Sequence, residues 1–330
     1  MCTLPGVRAP LPRLLLVLAS CFAVAIAGCG GGDSDDPSRP APAATEFPSA
    51  KGKTIDELLS DSGAKETKLV IAPAAQVFEV GENRYPFGVF TRGQEQVDDA
   101  DVALYFARDA KGPVQGPLPA QVTSLETKPA YRSQGEGSGE ATTVYVVPEV
   151  DLGRKGPWLA IAMLKGEEGL EVSRVPSPVV GKFPQVPNVG EKAPVIHTPT
   201  AAEVGGNLEE IDTRVPPDQM HEVDFAKAVG KKPLVLVFAT PAFCQSRVCG
   251  PVVDVAQQAA DSFEDEVDFI HMEVYAENDP GKGLRPQMRA YKLPTEPWTF
   301  LVDRNGVIRD RLEGAYGVSE LEAAVREISG

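Results

Sequence analysis

Cys244 and Cys249 are separated by Gln245-Ser246-Arg247-Val248, and this pair is where the sequence could do chemistry. A thiolate attacks a disulfide sulfur. An exchange site therefore needs one cysteine of depressed pKa and a second within reach to resolve the mixed disulfide. Helix geometry restricts how such a pair can sit. Residues five apart in a regular α-helix rise about 7.5 Å and stand about 140° around the axis, so their Cα atoms lie about 8.6 Å apart. A disulfide spans at most about 7 Å between Cα atoms. A bonded pair cannot share one intact helix. Pro251 lacks an N–H and is tolerated in the first helical turn, so the helix is expected to start near Cys249 or Gly250, with Cys244 folding back from the preceding loop; a helix starting at Cys244 would have to unwind its first turn to form the bond. Free N–H groups and partial positive charge at that end favour a thiolate, and Arg247 adds a cation nearby. The alternative role for the pair is a structural disulfide of a secreted protein.

The elements around the pair alternate between strand and helix. KKPLVLVFA (231–239) and VDFIHMEVY (267–275) are nearly continuous apolar runs, as expected of strands buried on both faces of a sheet. The stretch 252–263 carries a helical apolar pattern. WTFLVD (298–303) and VIRDRLEG (307–314) flank a turn at Asn305-Gly306 and read as a hairpin. A terminal amphipathic helix is expected over 319–328, capped by Ser319. The three histidines form no ligand motif. His271 falls on a buried strand, and His197 and His221 stand outside any recognisable spacing, so no metal site and no cofactor are expected.

The run Val237-Phe238-Ala239-Thr240-Pro241-Ala242-Phe243-Cys244 resembles the strand-to-active-site passage of thioredoxin-like proteins. Glu296-Pro297-Trp298-Thr299-Phe300 resembles that family's cis-proline segment, and Val189-Gly190-Glu191-Lys192-Ala193-Pro194 an entry motif of its membrane-anchored members. The resemblance covers roughly 189–330 and implies an α/β thioredoxin-like domain over 183–330 acting on protein thiols and disulfides, with re-reduction by a membrane-bound electron donor. The departure is the spacing, four intervening residues where the family has two. Two alignments compete. One makes Cys244 the nucleophile behind the aromatic Phe243. The other anchors on Cys249-Gly250-Pro251. Pro297 is implied to be the cis-proline that leaves neighbouring backbone free to pair with a substrate strand. Phe243 and Trp298, with Arg247, would rim the site. A peroxiredoxin-type peroxidase with a resolving cysteine five positions on is a second reading, and a redox-inactive binding lipoprotein with a structural disulfide is a third.

The first half has another grammar. KLVIA (68–72), AQVFEV (75–80), YPFGVF (85–90), DVALYFA (101–107), TTVYVV (142–147) and PWLAIAML (157–164) are short, β-branched or aromatic, and separated by turn residues. They predict an immunoglobulin-like β-sandwich over 65–182. Residues 133–140 read as a mobile loop, and 183–189 as a Pro-rich linker. Ahead of the sandwich, 29–64 is expected to be a flexible tether, with at most one helical turn at 54–60, because its proximal part is rich in Gly, Ser, Asp, Pro and Ala.

The start of the chain bears on compartment. Arg8 and Arg13 precede LLLVLASCFAVAIA (14–27), too short for a membrane span but fitting a signal peptide over 1–28. Ile26-Ala27-Gly28-Cys29 resembles the lipobox of bacterial lipoproteins, which implies a diacylated Cys29 and lipid anchoring on the extracytoplasmic side of the cell membrane. A formal charge of −15 argues against sequence-independent nucleic-acid binding and against electrostatic attachment to anionic lipid.

Overall fold

The computed structural model describes residues 37–134 and 140–330. Contacts divide the chain into Met1–Asp35 and Asp36–Gly330, and all that follows concerns the second unit. The signal segment and Cys29 lie outside the described residues, as does most of the loop expected at 133–140. Among the described residues no helix is long and apolar enough to cross a membrane.

Helix α1 (Ile55–Ser62) is the first α-helix among the described residues. Thr54 caps it by accepting from the Glu57 N–H at 3.3 Å, while the Glu57 carboxylate accepts from the Thr54 N–H at 2.9 Å. Two first-turn donors are thereby satisfied reciprocally. Strands β1 (Lys65–Glu66), β2 (Val70–Pro73), β3 (Gly81–Phe90), β4 (Val102–Ala107), β5 (Val114–Pro119) and β6 (Gln121–Ser124) follow. After them come β7 (Thr143–Leu152), β8 (Gly156–Pro157), β9 (Leu159–Gly166), β10 (Gly169–Val175) and β11 (Val179–Val180). These eleven strands form two larger sheets and a short pair. One sheet has the order β2-β3-β7-β6, the other β1-β10-β9-β4-β5, and β11 pairs with β8.

Period-two alternation builds the layers. Val102, Leu104 and Phe106 of β4 face the space between the two larger sheets, as do Ala160, Ala162 and Leu164 of β9 and Tyr145 and Val147 of β7. The odd-numbered residues of β4 and β9, Ala103, Tyr105, Ala107, Ile161 and Met163, face the opposite side, where Phe47, Ala50, Ile55 and Leu58 cover them. The segment 37–64 is therefore no free tether over its described part. Burying a Phe or Leu side chain contributes about 1.5–3 kcal/mol, and the Tyr105 hydroxyl also donates to the Pro48 carbonyl at 2.8 Å. The expected strand at 75–80 is instead a connection. The N–H groups of Gln76 and Val77 donate to the Glu313 carboxylate at 3.0 and 2.8 Å and not to a neighbouring strand.

The second half adds α2 (Phe225–Ala228), β12 (Leu234–Ala239), α3 (Cys249–Ser262), β13 (Asp268–Glu273), α4 (Pro286–Tyr291), β14 (Trp298–Val302), β15 (Ile308–Glu313) and α5 (Val318–Ser329). Its sheet order is β13-β12-β14-β15. Strand β12 runs parallel to β13 and antiparallel to β14. Leu234, Leu236 and Phe238 point to one face, with Met288 and Tyr291 of α4. Val235, Val237 and Ala239 point to the other, under α3 and α5. Helix α5 begins one residue earlier than expected, with Gly317 in the N-cap position and Ser319 inside the first turn.

The two halves share a core. Val144 and Val146, on the outer face of β7, belong to the same apolar cluster as Val252, Val253 and Leu321. Two glycines allow this approach. A Cβ on Gly317 would meet the Ser124 carbonyl oxygen at 2.6 Å, and one on Gly314, whose φ is +79°, would meet the Ala74 carbonyl oxygen at 2.5 Å. Arg84 of β3 grips the Glu320 carboxylate of α5 with two bonds, at 2.6 and 2.9 Å, and donates to the Ala315 carbonyl at 2.7 Å. Glu313→Ala would leave the Gln76 and Val77 N–H groups without their acceptor. We expect a loss of about 2 kcal/mol in urea unfolding. Glu313→Gln should cost less, because one acceptor oxygen survives. An unchanged midpoint in both variants would mean that the clamp contributes nothing.

Candidate functional site

Strand β12 ends at Ala239, and a short turn over Pro241–Phe243 carries the chain to Cys244, whose backbone is extended at φ −69° and ψ 118°. Helix α3 begins at Cys249. The two cysteines are bonded, with their Cα atoms 5.8 Å apart. This is the arrangement the helix geometry required, with Cys244 outside the helix and folded back onto its first residue. Arg247 makes the fold-back possible by adopting a left-handed backbone at φ 62°, a conformation uncommon for a residue with a Cβ.

The helix start explains the sulfur's surroundings. Val248 occupies the N-cap and has no side-chain acceptor to offer, so the first-turn N–H groups need another partner. The Cys249 N–H donates to the Cys244 sulfur at 3.2 Å, and the Ser246 hydroxyl lies 3.2 Å from the same atom. Cys244 thus stands in for the missing cap. The two cysteines differ sharply in access, since Cys249 is fully buried and Cys244 is partly exposed. Of the pair, only Cys244 can meet a large substrate.

Phe243 is 36% exposed and stands edge-on to Tyr275 at 6.2 Å, a position open to a substrate. The Glu296–Pro297 bond is cis, and burial pushes the Glu296 carboxyl pKa up. Trp298 does not rim the site. It is 1% exposed, stacks on Phe300 at 5.6 Å, and its Nε1–H donates to the Thr295 hydroxyl at 2.9 Å. Its place at the start of β14, paired on both sides, turns the ring into the core. Arg247 reaches across to the first half, where its guanidinium donates to the Gln94 side-chain oxygen at 3.3 Å. Its carbonyl accepts from the Ala141 N–H at 2.9 Å. A cleft of about 520 Å³ opens there, with Gln245, Ser246 and Arg247 on one wall and Gly88, Phe90 and Thr143 on the other.

Beneath the loop lies a polar group that the sequence did not reveal. Asp212, Asp218, His221 and His271 are all buried, and one ligand-type atom from each falls within 4.8 Å of the others. His271 Nδ1 is 2.7 Å from Asp218 Oδ2 and 3.7 Å from Asp212 Oδ1, and its Nε2 is 3.3 Å from the Ala239 carbonyl oxygen. Burial pulls its pKa down, but Asp218, with help from Asp212 and Glu273, overcomes this and pushes it up to about 10. Burial likewise raises Asp218, and the two imidazoles reverse that and hold it low. The group is tied to the turn that leads to Cys244. Glu273 Oε1 accepts from the Thr213 N–H at 2.9 Å, and the Thr213 hydroxyl accepts from the Ala242 N–H at 3.1 Å. Asp218 and His221 are three apart, a spacing that by itself marks no ligand site. The other two members come from residue 212 and from a strand fifty residues later.

No family model matches the chain, and no curated protein does. Among solved structures, it is similar to a thioredoxin-like superfamily protein at 19% identity, over 33% of this chain and 86% of that one, with a TM-score of 0.27. It is also similar to the C-terminal domain of ZirS at 11% identity, over 50% of this chain and 98% of that one, with a TM-score of 0.16.

The unequal access of the two sulfurs has a direct chemical consequence. In the reduced protein, iodoacetamide at neutral pH should modify Cys244 about tenfold faster than Cys249, or more, as resolved by peptide mass spectrometry. Equal rates would show that the loop opens on reduction and exposes both thiols.

Proposed function

We propose that this chain is a membrane-anchored, extracytoplasmic thiol–disulfide oxidoreductase in which Cys244 is the nucleophile and Cys249 resolves. The observation that carries this reading is the bonded pair at the start of α3, with the outer sulfur receiving the Cys249 N–H and the inner one buried. A donor aimed at the Cys244 sulfur favours the thiolate over the thiol. The reading takes 65–182 as an immunoglobulin-like sandwich and 183–330 as a thioredoxin-like domain. The parallel β12–β13 pair, the antiparallel β14–β15 hairpin and the helices on both faces support the latter.

In the reducing direction the Cys244 thiolate attacks one sulfur of a partner disulfide. A Cys244–partner bond forms, the partner's S–S bond breaks, and the second partner sulfur leaves as a thiolate that takes a proton. The Cys249 thiolate then attacks the Cys244 sulfur, which restores the Cys244–Cys249 bond and releases the first partner sulfur as a thiol. The partner gains two electrons and the pair loses two, so a dithiol-class, membrane-bound donor must re-reduce it. The reverse sequence introduces disulfides. Substrates are protein thiols or disulfides, approaching past Phe243 and along the cleft shared with the first half. The peroxidase alternative is disfavoured by spacing, since Thr240 stands four residues before Cys244 where that family's Thr stands three before, and Pro297-Trp298 takes the place of its arginine.

Cys244→Ser should abolish exchange with a protein disulfide, and Cys249→Ser should accumulate mixed disulfides that non-reducing gels resolve. A reduction potential between about −120 and −270 mV belongs to a catalytic pair. A value below about −300 mV would make the bond structural and favour a binding lipoprotein. Anchoring has its own test. The mature N-terminal peptide should carry a diacylglyceryl mass on Cys29, and Cys29→Ser should release the protein from the membrane fraction. Membrane retention without that mass would point to an uncleaved signal.

A further inference from the structure

We infer that Asp212, Asp218, His221 and His271 form a buried, four-ligand site for a divalent transition metal of the zinc class. The inference does not rest on the redox reading, since none of these residues takes part in it.

Geometry is the first argument. Zinc held at about 2.0–2.1 Å by four ligands defines a tetrahedron whose edges are about 3.3–3.4 Å. His221 Nε2 lies 3.4 Å from Asp212 Oδ2 and 3.4 Å from Asp218 Oδ1. His271 Nδ1 lies 3.7 Å from Asp212 Oδ1 and 2.7 Å from Asp218 Oδ2. Each carboxylate faces both imidazoles, one oxygen towards each, and a modest rotation about its Cβ–Cγ bond brings a single oxygen to the centre.

The second argument is an unmet valence. His221 is buried, and its Nε2 has no hydrogen-bond partner among the described residues although it points between two carboxylates. Interior polar atoms are nearly always paired, and leaving one unpaired costs about 1–3 kcal/mol. A metal ion at the centroid supplies the missing bond.

The surroundings fit as well. A ligating imidazole ordinarily gives its other nitrogen to a carbonyl or carboxylate. His271 does so, with Nε2 on the Ala239 carbonyl at 3.3 Å, which leaves Nδ1 for the metal. Both carboxylates are held by backbone N–H groups. Asp212 accepts from Arg214 at 2.8 Å and Asp218 at 2.6 Å, and Asp218 accepts from Met220 at 2.8 Å. Calcium and magnesium ask for six or more oxygen ligands, and copper(I) asks for sulfur. Two imidazoles with two carboxylates suit zinc. Four protein ligands leave no open position, so the ion is structural. It staples the irregular 212–221 segment to β13, directly under the turn that leads to Cys244.

The test uses the full-length mature protein in detergent with its disulfide intact, so that no thiol can compete. Elemental mass spectrometry after refolding with Zn²⁺ should find one zinc per chain, and Zn²⁺ at a thousandfold its Kd should raise Tm by about 5 °C or more over chelator-treated protein. Co²⁺ in its place should give the intense d–d bands of a tetrahedral site without thiolate charge transfer. His221→Ala should lose both the metal and the cobalt spectrum. If that variant does not fold, the wild-type cobalt spectrum alone decides. Absence of stoichiometric metal together with an unchanged Tm would overturn the inference and leave a buried ion-pair network. Cobalt that binds only after reduction, with thiolate charge-transfer bands and no d–d bands while the disulfide is intact, would overturn it too, by placing the ion on Cys244 and Cys249.

Discussion

The first two turns of α3, from Cys249 to Ala256, are buried on every side. One flank lies on Val235, Val237 and Ala239 of the α/β sheet, and Leu125, Val144 and Val146 of the first half join the same cluster. Apart from Asp254 this stretch is apolar, and a helix apolar all round is stable only when it is covered all round. Its N-terminus is therefore fixed by both halves, and so are the N–H groups that meet the Cys244 sulfur. A rigidly held donor costs no reorganisation when charge develops on that sulfur.

Polar contacts fix the angle at which the covering is applied. Arg214 and Asp254 form an ion pair at 2.7 Å with little exposure on either side. The same guanidinium donates to the Tyr131 and Pro216 carbonyls, both at 2.6 Å, while Asp254 also accepts from the Ser133 N–H at 2.8 Å. A buried pair contributes little net stability against an apolar replacement, yet losing one partner costs about 3–5 kcal/mol. Such contacts select one docking angle among many that apolar area alone would tolerate.

The strands around Cys244, the hairpin at Asn305-Gly306 and the last helix could be read from the sequence because each follows a single strong period. The position of Cys244 outside the helix followed from a distance limit, independent of any family resemblance. Other features escaped for physical reasons. Segment 37–64 looks like a linker by composition, but Phe47, Ile55 and Leu58 find cover on β4 and β9, which no local pattern records. Strand β5 is interrupted by Pro117 and Pro119, residues that a sheet tolerates at its edge, where β5 lies. The inward turn of Trp298 depends on pairing to both β12 and β15. The histidine–aspartate group joins an irregular segment to a distant strand, so spacing alone could not assemble it.

The Glu313 carboxylate also has a mechanical meaning. Besides the Gln76 and Val77 amides, it accepts from the Thr295 hydroxyl at 2.6 Å, and Thr295 in turn holds the Trp298 indole at 2.9 Å. The residues flanking the cis bond at Pro297 are therefore loaded through the same carboxylate that bolts the sandwich in place. A shear force between the halves would travel along this line into the 295–298 segment. The seam and the segment that opens β14 share a fastener.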